Sequence, residues 1–184
     1  VLGSVPAAVS EALAAPLGCT DLETTIARTR PRTVAIAVPD ETRPAPLREV
    51  LPPLLDRIEA GLDRLLAESV TLFIGGGLHP PADAAAVERI LPDGIARDCR
   101  IVAHDARTAA MRDYGMTRRG TPVRINADYA EADLKIVIGQ VDPHQFVGFT
   151  GGSKGVVIGC AAPETIEKNH SLMSHPNARV GRLA

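Results

Sequence analysis

The chain has 184 residues, with 20 Lys and Arg against 22 Asp and Glu and a formal net charge of −2. At that length one hydrophobic core burying about 70% of the unfolded surface is expected. Near-balanced charge leaves no long-range positive field for nucleic acid or an anionic membrane. The absence of Trp, with only 3% aromatic residues, argues against base-stacking platforms and aromatic cages.

Cys19, Cys99 and Cys160 cannot all pair and contain no CxxC. Neither a disulfide framework nor a zinc knuckle is implied, and a reducing compartment fits. No run approaches the roughly 18 apolar residues of a membrane span, and Val1 to Ala15 lacks the basic start of a secretory signal. A soluble, cytoplasmic protein is therefore expected. The chain starts at Val1 without Met and stops at Arg182-Leu183-Ala184 with no capping or breaking residue, and it reads as a fragment.

In chain order, Thr33 to Val38 is a β-branched run ended by Pro39-Asp40. Leu54, Leu55, Ile58, Leu62, Leu65 and Leu66 fall on one helical face behind Pro52-Pro53, read as the helix start. Val70 to Ile74 is a second strand, ended by three glycines, and Ala82 to Leu91 a shorter helix closed by Pro92-Asp93-Gly94. Arg100 to Ala103 is a third strand before His104-Asp105. Thr121 to Asn126 is a weaker strand or edge segment, Leu134 to Ile138 a fourth main strand, and Thr165 to Met173 a final helix behind Pro163. Apolar strands alternating with amphipathic helices predict a Rossmann-like α/β fold: a mostly parallel sheet with helices on both faces.

In open sheets of this kind, ligands bind beyond the carboxyl ends of the strands. The unusual polar residues gather there. Asp40-Glu41-Thr42-Arg43-Pro44 follows the first strand, Gly75-Gly76-Gly77-Leu78-His79-Pro80 the second, and Asp142-Pro143-His144 the fourth main strand, leading into Gly148-Phe149-Thr150-Gly151-Gly152-Ser153-Lys154-Gly155. The glycines of that last loop free backbone N–H groups to face an anion, and Lys154 adds a cation. The plain alternative is an ordinary turn with a solvated lysine, and Arg43 has the equally plain option of pairing with Asp40. The loop is not a Walker A motif, which needs Ser or Thr after the lysine and a helix starting there.

His79 and His144 follow strands in rigid Gly/Pro surroundings and suit proton transfer near neutral pH. Packing or capping is the commoner role of a lone histidine; two at one rim favour catalysis. His170 has no second ligand at i+3 or i+4, so spacing predicts no metal cage built from protein alone. His104 and His175 read as a strand-end turn and a helix-terminal residue.

Together, Asp40-Glu41-Thr42-Arg43-Pro44, Gly77-Leu78-His79, the run from Pro143-His144 to Lys154-Gly155, and Asn169-His170 resemble the N-terminal domain of the lactate racemase family, enzymes carrying a nickel-pincer nucleotide. The histidine ten residues before the lysine and another sixteen after it make the combination specific, and the resemblance runs from about Thr33 to the end. It implies residues 1–184 as the cofactor-bearing N-terminal domain of a two-domain protein whose C-terminal domain is absent here. It implies Lys154 as the covalent anchor of a pyridinium-3,5-bisthiocarboxylic acid mononucleotide carrying nickel, and His170 as the protein ligand completing a square-planar metal. The nucleotide phosphate would lie against Gly151, Gly152 and Ser153 and the Thr42-Arg43 side, with Asp40 either orienting His79 or binding cofactor hydroxyls.

His79 and His144 would be the paired acid/base residues, and the substrate a 2-hydroxy acid that loses its α-hydrogen as hydride. Cofactor-making enzymes are implied as partners. The sequence departs from the family's Gly-Thr-His-Arg at Gly77-Leu78-His79-Pro80 and has Ile158 where Pro is usual, which leaves the substrate open. The competing reading is a nucleotide- or phosphate-binding module without catalysis. An NAD-dependent dehydrogenase is disfavoured, since no G-x-G-x-x-G follows the first strand.

Overall fold

The computed structural model describes residues 3–62 and 66–182, with only the backbone of Leu66. Its elements are α1 (Val5–Ala14), α2 (Leu22–Thr29), β1 (Val34–Pro39), α3 (Leu47–Gly61), α4 (Leu66–Ser69), β2 (Val70–Gly75), α5 (Ala84–Ile90), β3 (Arg100–Ala103), β4 (Met111–Met116), β5 (Pro122–Asn126), α6 (Ala127–Glu131), β6 (Leu134–Val137), β7 (Pro143–His144), β8 (Gly148–Phe149), α7 (Lys154–Val157) and α8 (Pro163–His170). The main sheet has the order β3-β2-β1-β6, with every pair parallel.

Strand β1 is buried along nearly its whole length, as a parallel strand covered on both faces must be. Val34, Ile36 and Val38 join Val70, Leu72 and Ile74 on one face, under Ile26 of α2 and Leu51, Leu54 and Ile58 of α3. Ala35, Ala37 and Phe73 lie on the other, against Ile125, Tyr129, Cys160 and Ile166. The small side chains at 35 and 37 leave room for an edge-on contact of Phe73 with Tyr129, ring centroids 5.6 Å apart. The α/β sheet with helices on both faces is therefore as expected, with a β4–β5 hairpin added beside α6 and α8.

Several details differ from the sequence reading. Helix α3 starts at Leu47 behind Pro46, so Pro52 and Pro53 lie inside it. Their missing N–H groups forgo bonds to the carbonyls of Arg48 and Glu49, typically costing about 3 kcal/mol for each interior proline. Leu47 and Leu51 extend the apolar stripe by an extra turn and are both fully buried, each worth about 1.5–3 kcal/mol. Of the stripe expected further on, Leu62 is the helix C-cap, while Leu65 and the side chain of Leu66 lie outside the described residues.

The segment Pro122–Asn126 is not an edge of the main sheet. It pairs antiparallel with β4, whose Met-Arg-Asp-Tyr-Gly-Met sequence is exposed almost throughout and carries no alternating pattern. Helices α1 and α2 precede the first expected element. Helix α8 begins at Pro163, where a missing N–H costs nothing, and gives way at Ser171 to a 3-10 turn ending at Ser174.

His104, at the end of β3 as expected, is also a buried tie between distant segments. It is 1% exposed, with Nε2 3.2 Å from the Ala161 carbonyl and Nδ1 3.2 Å from the Asn126 amide nitrogen. The carbonyl calls for an Nε2–H donor and the amide for an Nδ1 acceptor, so a neutral ring satisfies both. Burial, the largest influence, lowers its pKa. Above the ordinary value near 6.5 both folded and unfolded forms are neutral and the stability is complete. As pH falls below it, the unfolded chain takes up a proton that the folded ring refuses, and stability declines by up to about 1.4 kcal/mol per pH unit. Urea midpoints of the parent should therefore drop between pH 8 and pH 5.5 more than those of His104→Gln. That variant should itself be weaker at pH 8 by about 1–3 kcal/mol through its unpaired buried groups.

Candidate active site

All four main strands run the same way, so their carboxyl ends share one rim. The chain leaves β1 towards β2 on one side and returns as β6 on the other. The loops after β1 and β6 therefore diverge and leave a crevice between them. A cavity of about 400 Å³ opens there, lined by Asp40, Arg43, His79, His144, Gly151, Lys154 and His170 among others. The remaining expected site residues, Thr42, Gly152 and Ser153, do not line it.

Asp40 closes β1 and is buried. Its Oδ1 accepts the Thr42 hydroxyl at 2.6 Å, and its Oδ2 lies 2.6 Å from His79 Nδ1. Thr42 thus supports Asp40 from behind. Of the two roles open to Asp40, the structure places it against His79. Arg43 does not pair with it, and among the described residues neither Arg43 nor Lys154 has an ion-pair partner. His79 is presented by a tight turn: its N–H reaches the Gly76 carbonyl at 3.2 Å, and the Gly77 N–H reaches the Gly159 carbonyl at 3.1 Å. Gly77 has φ +62°, and a Cβ there would meet the Ile158 carbonyl at 3.0 Å, so a side chain is excluded twice over.

His144 sits on a two-residue ladder formed by β7 and β8. Thr150 ties this ladder to the loop that leads from β6 into β7: its hydroxyl donates to the Gln140 carbonyl at 2.7 Å and accepts the Asp142 N–H at 2.8 Å. The His144 ring meets Phe146 edge-on, centroids 5.7 Å apart. Its Nδ1 accepts the N–H of Phe146 at 3.2 Å and of Val147 at 3.5 Å.

A single helical turn, α7, does start at Lys154, contrary to the loop read from the sequence. The N–H groups of Lys154, Gly155 and Val156 bond to the carbonyls of Gly151, Gly152 and Ser153. Those three N–H groups are spent locally, and the Lys154 and Arg43 side chains add positive charge for an anion. Gly155 still stands where a Walker A loop needs Ser or Thr. The neighbouring Met173, Gln140 and Ile166 also line the cavity; nothing in their residue type or spacing marked them beforehand.

The charges act on one another. Burial, then Arg43, lowers the Lys154 pKa. Burial first, then Lys154, Arg43 and His170, lowers that of His144. Each pull favours a neutral amine and a neutral imidazole, the forms that act as nucleophile and hydrogen-bonding partner. Among the described residues, no three His, Cys, Asp or Glu side chains are arranged to hold a metal ion, and no helix is long and apolar enough to cross a membrane.

The family described as the lactate racemase N-terminal domain matches residues 3–181. The chain belongs to that family. It is 33% identical over 180 residues to the lactate racemase of Lactiplantibacillus plantarum, covering 95% of this chain and 41% of that protein. It is 32% identical over 155 residues to that of Thermoanaerobacterium thermosaccharolyticum, covering 83% of this chain and 36% of that protein. The structure of the lactate racemase apoprotein from Thermoanaerobacterium thermosaccharolyticum matches with a TM-score of 0.89 at 30% identity, over 97% of this chain and 42% of that one. A crystal structure from Thermotoga maritima, 19% identical with a TM-score of 0.72 over 98% of this chain and 43% of that one, shares the fold. The chain thus spans less than half the length of these lactate racemases.

Lys154 is one of three lysines, with Lys135 and Lys168. Its amine should be acylated by a limiting pulse of acetic anhydride with a pH midpoint below the ordinary lysine value near 10.4. Arg43→Met should move that midpoint back upward only in part, because burial is the larger cause. Peptide mass spectrometry across a pH series reads both.

Proposed function

We propose that this chain is the cofactor-bearing domain of a nickel-pincer nucleotide-dependent racemase or epimerase of 2-hydroxy acids, acting together with a further domain of the kind the longer relatives have room for. The observation that carries this is convergence. Lys154, His170, His79 and His144 come from four separate segments and all line one cavity.

The residues suit the group. A half-buried lysine whose pKa is lowered by burial and by Arg43 favours the neutral amine that covalent attachment needs. His170, with no protein-only metal cage among the described residues, suits a metal that arrives already held by a tridentate cofactor and lacks one donor. Arg43 provides a cation for a phosphate or a substrate carboxylate.

When bound, the group would supply a hydride acceptor and a nickel centre with one position for a protein ligand. The chain's own residues would do the rest. Lys154 holds the cofactor, His170 ligates the metal, and Arg43 orients an anionic group. Asp40 keeps His79 turned so that it can take the hydroxyl proton from a 2-hydroxy acid, and His144 faces the same space from the β7–β8 ladder. The intervening Phe146, Ile138 and Ile158 line the cavity and keep part of it apolar, which strengthens the polar contacts made there.

Protein co-produced with the cofactor-making enzymes should carry a mass adduct on Lys154 and retain nickel through gel filtration. Lys154→Ala should lose both, and His170→Ala should keep the adduct while losing most of the nickel. A folded parent with unmodified Lys154 under these conditions sinks the proposal. Retention of a nucleotide by Lys154→Ala at merely reduced affinity would favour a non-covalent binding module.

A further inference from the structure

Lys154 opens α7, a single turn that lies hard against β6. A Cβ on Gly155 would meet Val137 Cγ2 at 2.6 Å, so glycine is what lets the turn come this close. The lysine side chain therefore leaves a close-packed backbone for the cavity that it lines together with Arg43. The buried carboxylate of Asp40 in the same cavity is already engaged by Thr42 and His79. Among the described residues, Lys154 and Arg43 thus share a space of about 400 Å³ with no ion-pair partner for either.

Each of the two groups asks for a different part of a ligand. Burial, then Arg43, keeps the amine below the ordinary lysine pKa, and a neutral amine attacks carbonyl carbon. The guanidinium keeps its proton and matches a planar carboxylate. A small molecule with a carbonyl beside a carboxylate meets both at once. Ile138, Phe146 and Ile158 wall the same cavity and leave room for an apolar remainder.

We propose that the chain, before any cofactor is attached, captures small 2-oxo acids as an imine on Lys154, with their carboxylate on Arg43. The lysine nitrogen bonds to the carbonyl carbon, and a C=N bond replaces C=O. The carbonyl oxygen departs as water with the two amine hydrogens, so the step needs no oxidant or reductant. Protonation of the imine places a cation next to the ligand's own carboxylate, and the two offset one another. A neutral ketone would instead leave an uncompensated cation beside Arg43. On the reading of the cavity given above, the same amine anchors the cofactor, so a captured 2-oxo acid delays loading.

Reductive trapping of the unloaded chain tests this. The protein is incubated near neutral pH with cyanoborohydride and either pyruvate or acetone, and peptide mass spectrometry compares Lys135, Lys154 and Lys168. Lys135 and Lys168 are exposed and Lys154 is half-buried, so simple accessibility favours the other two. The expected result is pyruvate on Lys154 ahead of both. In Arg43→Met the ratio of pyruvate to acetone trapped on Lys154 should fall roughly tenfold, the size of one lost charge-assisted hydrogen bond. A change in amine pKa alone moves both ketones together and leaves that ratio where it was. Should Arg43→Met fail to fold, inorganic phosphate added to the parent takes its place: it should protect Lys154 from pyruvate more than from acetone.

Pyruvate spread over the three lysines in order of exposure overturns the inference. So does an unchanged ratio in a folded Arg43→Met, or equal protection by phosphate against both ketones. Selective capture in a chain that never gains the nickel-pincer adduct would keep the imine site and remove the racemase reading. Adduct formation without selective capture would do the reverse.

Discussion

Everything at the rim depends on where β1 sits. It is an interior strand paired in parallel with β2 on one side and β6 on the other. Parallel pairing brings every strand to its carboxyl end at the same edge, and the chain departs from β1 in one direction and comes back from the other. The loops therefore part above β1. Asp40 ends that strand, the Gly75–His79 turn ends its neighbour, and the Lys154 segment arrives from beyond β6. A sheet with β6 added outside β3 would leave the same residues on one edge but without a crevice between them.

The crevice then sets the chemistry through desolvation. Partial burial makes a charged lysine or imidazolium expensive, and the neighbouring cations make it more so. Lys154 and His144 respond by shifting towards their neutral forms. Asp40, more deeply buried, is satisfied by two hydrogen-bond partners. The same residue type takes three roles according to its surroundings: His79 paired with a carboxylate, His144 capped by backbone amides, and His104 sealed in the core between a carbonyl and an amide. Only the first two line the cavity.

Much of this could be read in one dimension. The four main strands announced themselves as short β-branched runs ended by Pro, Gly or His-Asp, since a strand covered on both faces needs apolar residues on both. The rim followed from the rule for open sheets, and seven of the expected site residues line the cavity. Other elements were hidden for identifiable reasons. Strand β4 is solvated, so it carries no pattern. Helix α3 starts a turn and a half earlier than its prolines indicate, because burial of Leu47 and Leu51 offsets much of a local penalty. Gly152 and Ser153 belong to the right turn, but their backbone carbonyls are used to build α7, and they stand back from the cavity.

The amino-acid order by itself determined the sheet-forming segments, the family, and the set of side chains able to do chemistry, because these depend on residue type and local spacing. Only the folded chain decided which partners the rings of His79 and His104 meet, which lysine is half-buried in the crevice, and that Asp40 serves His79 rather than Arg43. The His79 and His104 pairings rest on contacts between residues 39 and 57 positions apart. Hydrogen bonds and desolvation act over a few ångströms of space, and local periodicity carries no record of which distant segments will share it.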